Sequence, residues 1–200
     1  HPGAVRSGRR GRSAPASGRR LMSSPVVLIL AAGRGERFLA SKGNTHKLEA
    51  LLGGQTVLAH VIQAVEAAHL LWQLVRPEGG TCGMGESISL GVQATAEASG
   101  WLILPADLPL IQPASLLSVA EGLGEKGIVV PHHQQQAGHP VGFRREYREA
   151  LLGLSGDRGA RKIVMGARSQ EDVLDLSLAD YGVTFDIDTL ADLRTAQEIR

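Results

Sequence analysis

Apolar and polar residues along this chain follow two periods that take turns. Residues 26–30 form an unbroken aliphatic run, too short for a helix, and read as a buried strand. Val57, Leu58, Val61, Ile62, Val65 and Ala68 then recur at helical spacing behind Thr56, which suits an N-cap. Residues 70–75 read as a strand, 88–98 as a helix capped by Ser87, and 101–104 as a buried strand. A helix at 113–122 and strands at 128–131 and 139–143 follow, then helices at 144–152 and around 163–165. A strand at 173–176 and an alternating apolar and acidic stretch at 183–190 lead to a last helix, 190–199, capped by Thr189. Strand and helix alternate throughout. The pattern predicts an α/β domain with a mostly parallel central sheet flanked by helices.

Two hundred residues suit one domain with a substantial core. The formal charge of +1 conceals an asymmetry. Residues 1–22 carry six arginines and no acid, so the rest of the chain holds 15 basic against 20 acidic side chains. A body with a net charge near −5 lacks the basic face of a nucleic-acid binder. No apolar run approaches a membrane span. Cys82 is the only cysteine, which rules out a disulfide within the chain and fits a reducing cytoplasm. Residues 1–22 are expected to be a disordered basic extension, with residues 23–200 as the folded domain. A transit peptide, a signal peptide and an upstream extension ahead of Met22 are the three readings of that segment; the last is preferred.

The candidate chemistry gathers where predicted strands end. Leu30 is followed by Ala31, Ala32, Gly33, Arg34, Gly35 and Arg37. Small residues admit a close ligand, backbone N–H groups can face an anion, and guanidinium groups add paired donors. Phe38 occupies the third glycine position of a dinucleotide fingerprint, and no Gly-Lys-Ser/Thr of a Walker loop follows. Lys47, some ten residues later, can fold back as a compact cation; the plain alternative is a solvated lysine. Gly83, Gly85 and Ser87 open a helix, as an N-cap or as a ligand contact. Asp107, between Pro105 and Pro109, lies past a buried strand, a position that suits Mg²⁺ as well as a turn cap. Adjacent His132 and His133 point to opposite faces of a strand, which argues against a shared ion. Asp157, Arg158, Arg161 and Lys162 surround the start of a helix; the cations oppose its dipole there and are better explained by a phosphate. Asp186 and Asp188 share one face of the alternating stretch, where a common cation would relieve their repulsion.

Taken in order, these motifs resemble the molybdenum cofactor nucleotidyltransferases, and among them the cytidylyltransferase branch. The resemblance rests on residues 30–38 with Lys47, 83–87, 105–109, 138–140, 156–160 and 186–189. It implies a Rossmann-like fold of the nucleotide-diphospho-sugar transferase type, Mg²⁺ and a cytoplasmic location. It implies that Leu30 to Arg37 hold base and triphosphate, that Lys47 binds phosphate, and that Gly85 and Ser87 contact the nucleoside. Arg34, Lys47 and Asp107 would be catalytic. Asp107 would ligate metal with a carboxylate from Asp186 or Asp188, and His139, Asp157, Arg158 and Arg161 would face the pterin. Ala32 before Gly33 favours CTP over GTP. Residues 70–81 are shorter than the family's usual unit, and Ala106 stands where glycine is common. The implied reaction transfers CMP from CTP to the molybdopterin form of the cofactor, with a molybdenum hydroxylase apo-enzyme as a further partner. Rival readings are GTP as donor, a sugar or polyol phosphate as acceptor, a cofactor carrier, and an NAD(P)-dependent reductase, which Phe38 disfavours.

Overall fold

The computed structural model describes residues 24–32 and 46–199, together with the backbone of residues 5–8. Among the described residues ten strands and six α-helices follow one another: β1 (Val5–Gly8), β2 (Pro25–Leu30), β3 (Leu51–Leu52), β4 (Gln55–Thr56), α1 (Val57–Ala67), β5 (Leu71–Val75), α2 (Met84–Ala94), β6 (Gly100–Pro105), α3 (Pro113–Gly122), β7 (Ile128–His133), β8 (Gln136–Ala137), β9 (Val141–Arg144), α4 (Arg148–Leu152), α5 (Arg161–Ser169), β10 (Val173–Ser177) and α6 (Leu190–Ile199). The main sheet has the order β1-β5-β2-β6-β9-β7-β10, with β8 paired to β7, and β3 pairs β4 separately.

β5, β2 and β6 pair in parallel, as do β7 and β10. β9 lies antiparallel between β6 and β7, which makes the sheet mixed but mostly parallel. The expected Rossmann-like layering is present. Val27, Ile29, Leu102 and Leu104 point to one face, under α1, α3 and α6. Val26, Leu28, Trp101 and Ile103 point to the other, under α2, α4 and α5. Strands buried on both faces need apolar residues at every position, which is why β2 reads as a continuous run. Burying each such side chain contributes roughly 1.5–3 kcal/mol.

Four local expectations change. α2 begins at Met84 with Gly83 as its N-cap, so Ser87 sits a turn inside the helix instead of capping it. Gly83 takes φ 146°, and a Cβ there would lie 2.3 Å from the Asp157 Cα. The helix thus starts earlier because only glycine tolerates that corner. The stretch expected as helix 144–152 divides into a 3-10 turn, Arg145–Tyr147, and the short α4. β9 begins at Val141, so His139 lies in the loop ahead of it. Residues 183–190 form no strand; a 3-10 turn at Tyr181–Val183 leads through irregular backbone to α6. Backbone groups there bond elsewhere: the Ile187 N–H donates to the Asp107 carbonyl at 2.9 Å, and the His139 N–H to the Val183 carbonyl at 2.9 Å. Val5–Gly8, which the sequence pattern did not mark, pair antiparallel with β5.

Candidate functional site

β2 and β6 run side by side and end together, with Leu30 opposite Pro105. Their carboxyl ends open a cleft of about 350 Å³, at the low end of the range for small-molecule sites. Leu30, Ala31 and Ala32 form one side, and Pro105, Ala106 and Asp107 another. Two main-chain bonds hold this floor: Ala31 N to the Val75 carbonyl and Ala106 N to the Leu30 carbonyl, both 2.9 Å. The turn at Lys47–Glu49 and the start of α2 supply the remaining walls. Gly33, Arg34, Gly35 and Arg37 lie outside the described residues.

Lys47 reaches into the cleft. Its Nζ lies 2.9 Å from Asp107 Oδ2 and 3.5 Å from Asp188 Oδ1. Burial pulls this ammonium down, but Asp107 and then Asp188 outweigh it, and its pKa stands above the ordinary lysine value. His46 aims the turn, since its Nδ1 accepts from the Leu48 N–H at 3.2 Å. Asp107, Asp186 and Asp188 bring one ligand oxygen each to within 4.8 Å of one another. Desolvation, then the charges of Asp107 and Asp188, push the Asp186 carboxyl above its usual range. Among the described residues, Lys47 bridges Asp107 and Asp188, and the three carboxylates crowd one another. Their hard oxygen donors fit Mg²⁺ or Mn²⁺, and neither geometry nor charge excludes Asp186 or Asp188 as a ligand.

Ser87 is buried and faces the cleft. Its Oγ lies 2.8 Å from Thr81 Oγ1 and donates to the Gly83 carbonyl at 3.1 Å. Gly85 points away from the cleft: a Cβ there would meet the Arg158 and Ser155 carbonyls at 2.4 and 2.6 Å. It lets α2 pack on the 155–158 loop. Asp157 and Arg158 are exposed on that loop. His139 and Arg161 instead line a second cavity of about 650 Å³, walled mainly by apolar residues such as Ile103, Val130 and Phe143. Met84 borders both spaces. Burial holds the His139 imidazole below its usual pKa, against Asp107 and a hydrogen bond to the Ile103 carbonyl. The structure therefore joins Lys47, Asp107, Asp186 and Asp188, keeps Leu30 to Ala32 and Ser87 beside them, and sets His139 and Arg161 next door.

Sequence reasoning passed over His46, Thr81, Cys82 and Met84, which all line the cleft. His46 carried a signal, because a side-chain acceptor two residues ahead of a backbone N–H marks a turn. Thr81 carried none, since its contact with Ser87 depends on how α2 begins.

Known proteins share this arrangement of strands. The protein Rv0371c of Mycobacterium tuberculosis H37Rv superposes with a TM-score of 0.70 at 23% identity, over 88% of this chain and 98% of that one. A further structure of that protein is a complex with manganese. A nucleotidyl transferase from Methanothermobacter gives a TM-score of 0.73 at 19% identity, over 88% and 97% of the two chains. At these identities the likeness is one of fold. Among curated sequences, the bifunctional protein GlmU of Buchnera aphidicola is 27% identical over 114 residues, 46% of this chain and 24% of that one. A 26-residue stretch is 85% identical to YagP of Escherichia coli, described as a putative LysR family substrate binding domain-containing protein, and covers 13% of this chain and 19% of that one. The chain thus spans a quarter or less of the length of these curated relatives. The model of the MobA-like NTP transferase domain matches residues 27–173, from the strand that opens the cleft to the first residue of β10. By that match the chain belongs to the family of MobA-like NTP transferase domains.

Proposed function

We propose that the chain transfers CMP from CTP to the terminal phosphate of molybdopterin, with release of pyrophosphate. The observation that carries this reading is the meeting of Lys47, Asp107, Asp186 and Asp188 at the joined ends of β2 and β6. An oxygen of the acceptor phosphate attacks the α-phosphorus of CTP in line. The bond from that phosphorus to the bridging oxygen breaks, and pyrophosphate takes the electron pair. The attacking group is already an anion, so neither a protein nucleophile nor a general base is required. The chain contributes by positioning and by neutralising charge. Lys47 swings from its carboxylates to a phosphate oxygen. The backbone and guanidinium groups from Leu30 to Arg37, Arg34 among them, receive the triphosphate. Asp107 with Asp186 or Asp188 would hold Mg²⁺, which when bound supplies positive charge to the phosphates.

The sequence feature favouring CTP is Ala32 ahead of Gly33. The pterin assignment is supported by the apolar cavity beside the cleft, with His139 and Arg161 on its wall; Asp157 and Arg158 stand on the adjoining loop. A molybdenum hydroxylase apo-enzyme would receive the product. Among the described residues no helix is long and apolar enough to cross a membrane.

The test is pyrophosphate release with CTP or GTP, with and without molybdenum cofactor. Release that needs CTP and cofactor together is the expected result. A preference for GTP would replace the donor, and release that requires a sugar or polyol phosphate would replace the acceptor. Tight cofactor binding without pyrophosphate would leave a carrier.

A further inference from the structure

The two late carboxylates stand on an irregular strap between β10 and α6. Among the described residues no strand pairs with 184–188. Asp107, Asp186 and Asp188 bring oxygens within 4.8 Å of one another, a crowding that contacts elsewhere on the strap have to sustain. One side chain stands where it can. Asp180 is only 6% exposed, and both of its oxygens are engaged. Oδ2 accepts from the Gln112 N–H at 2.9 Å and from Ser115 Oγ at 2.7 Å. Oδ1 accepts from the Gly182 N–H at 2.7 Å. Gln112 closes the turn that begins at Asp107 and precedes α3, where it makes no side-chain cap of its own. Gly182 belongs to the strap. It lies so close to that turn that a Cβ would sit 2.3 Å from the Leu110 carbonyl oxygen.

We propose that Asp180 is a positioning residue of the metal site: its buried carboxylate ties the strap bearing Asp186 and Asp188 to the turn bearing Asp107. The inference rests on the metal reading given under the proposed function. Contacts further along the strap complete the fastening. Ile187, fully buried, donates its N–H to the Asp107 carbonyl. Asp192 Oδ2 accepts from the Asp188 and Thr189 N–H groups at 2.8 and 2.9 Å. Asp180 is the member that grips both sides through a single side chain.

The test is Mn²⁺ binding to the folded, nucleotide-free protein, followed by electron paramagnetic resonance, with melting temperature read alongside in EDTA. Asp180→Asn keeps the volume but turns a donor toward donors. It should weaken Mn²⁺ binding at least about ten-fold, as loss of a group that orients a ligand does. The metal requirement for turnover should rise in step, with kcat at saturating metal little changed. Ser115→Ala removes one of the donors and should give a smaller loss of the same kind; it carries the test if Asp180→Asn does not fold. Tyr147→Phe, which deletes a bond to Asp172 outside the cleft, is the control: it should lower the melting temperature and leave Mn²⁺ affinity alone. Unchanged Mn²⁺ affinity in a folded Asp180→Asn or Ser115→Ala protein, against a wild type that binds, overturns the positioning role and leaves the proposed activity standing. Failure of the wild type itself to bind Mn²⁺ overturns the metal site and this inference with it.

Discussion

Asp172 and Asp175, at the amino end of β10 and within it, are met by donors. Tyr147 Oη lies 2.6 Å and the Gly127 N–H 2.8 Å from the carboxylate of Asp172. Arg168 approaches Asp175 through two nitrogens at 2.7 and 2.9 Å, and His132 Nε2 lies 2.7 Å from it. The consequence is electrostatic. Tyr147 and then Gly127 hold the Asp172 carboxyl below its usual range, and Arg168 holds Asp175 at about 2. Asp107, Asp186 and Asp188 face one another, with Lys47 bridging the first and the last, and Asp186 is pushed the opposite way. The first group is complete within the chain. The second gathers three carboxylate oxygens within 4.8 Å of one another, a donor set that fits a divalent cation, and that difference separates the two groups.

The comparison breaks most sharply at Asp107. Asp107→Ala should lower nucleotidyl transfer by at least about a hundred-fold while the far-ultraviolet circular dichroism stays native. Near-normal turnover would move Asp107 to the structural side. Lys47→Met comes next. It removes the ammonium that pairs with Asp107 and Asp188, so turnover should fall about ten- to a hundred-fold. Its melting temperature at neutral pH should drop in EDTA and recover with Mn²⁺; a drop that Mn²⁺ does not restore would count against a shared cation site. At the other cluster Tyr147→Phe should cost about 1–2 kcal/mol, read as a lower urea midpoint, with the kinetic constants unchanged. The smallest effect is in pH. Asp175, its pKa held down, adds stability that is present above the ordinary carboxylate value and fades as pH falls toward about 2. Its side chain is 43% exposed, so salt should screen much of that effect. Asp186, its pKa raised, binds its proton more tightly when folded. Metal-free stability should therefore decline as pH rises through the raised value, and Mn²⁺ should reverse the decline. Superimposable melting profiles with and without Mn²⁺ would erase the distinction.

The sequence made the cleft's first half readable because Leu30 ends one buried aliphatic run and Asp107 lies just past another, and strand ends are where such sheets bind ligands. Asp186 and Asp188 were found through an alternation that suggested a strand. The strand does not form, yet the two meet Asp107 because Ile187 is buried between them and bonded to that loop. Periodicity located β9 but could not give its direction, since an alternating pattern reads the same from either end. The cap of α2 was misplaced because Gly83 acts through a backbone angle and a neighbour, Asp157, that local sequence does not reveal. Asp180 was silent for a related reason: Gln112 and Ser115 lie 68 and 65 residues away from it.

The inverted strand has a mechanical consequence. β6 and β7 do not touch as partners; β9 stands between them and pairs with both. The two parallel halves of the sheet are therefore joined through β9, which matches four residues with β6 and two with β7, above one apolar cluster that holds Leu102, Leu104 and Val129. The reactive crevice straddles that join, because Asp107 follows β6 while Asp186 and Asp188 follow β10, so amide exchange in β6 and β7 should speed up together when the join opens.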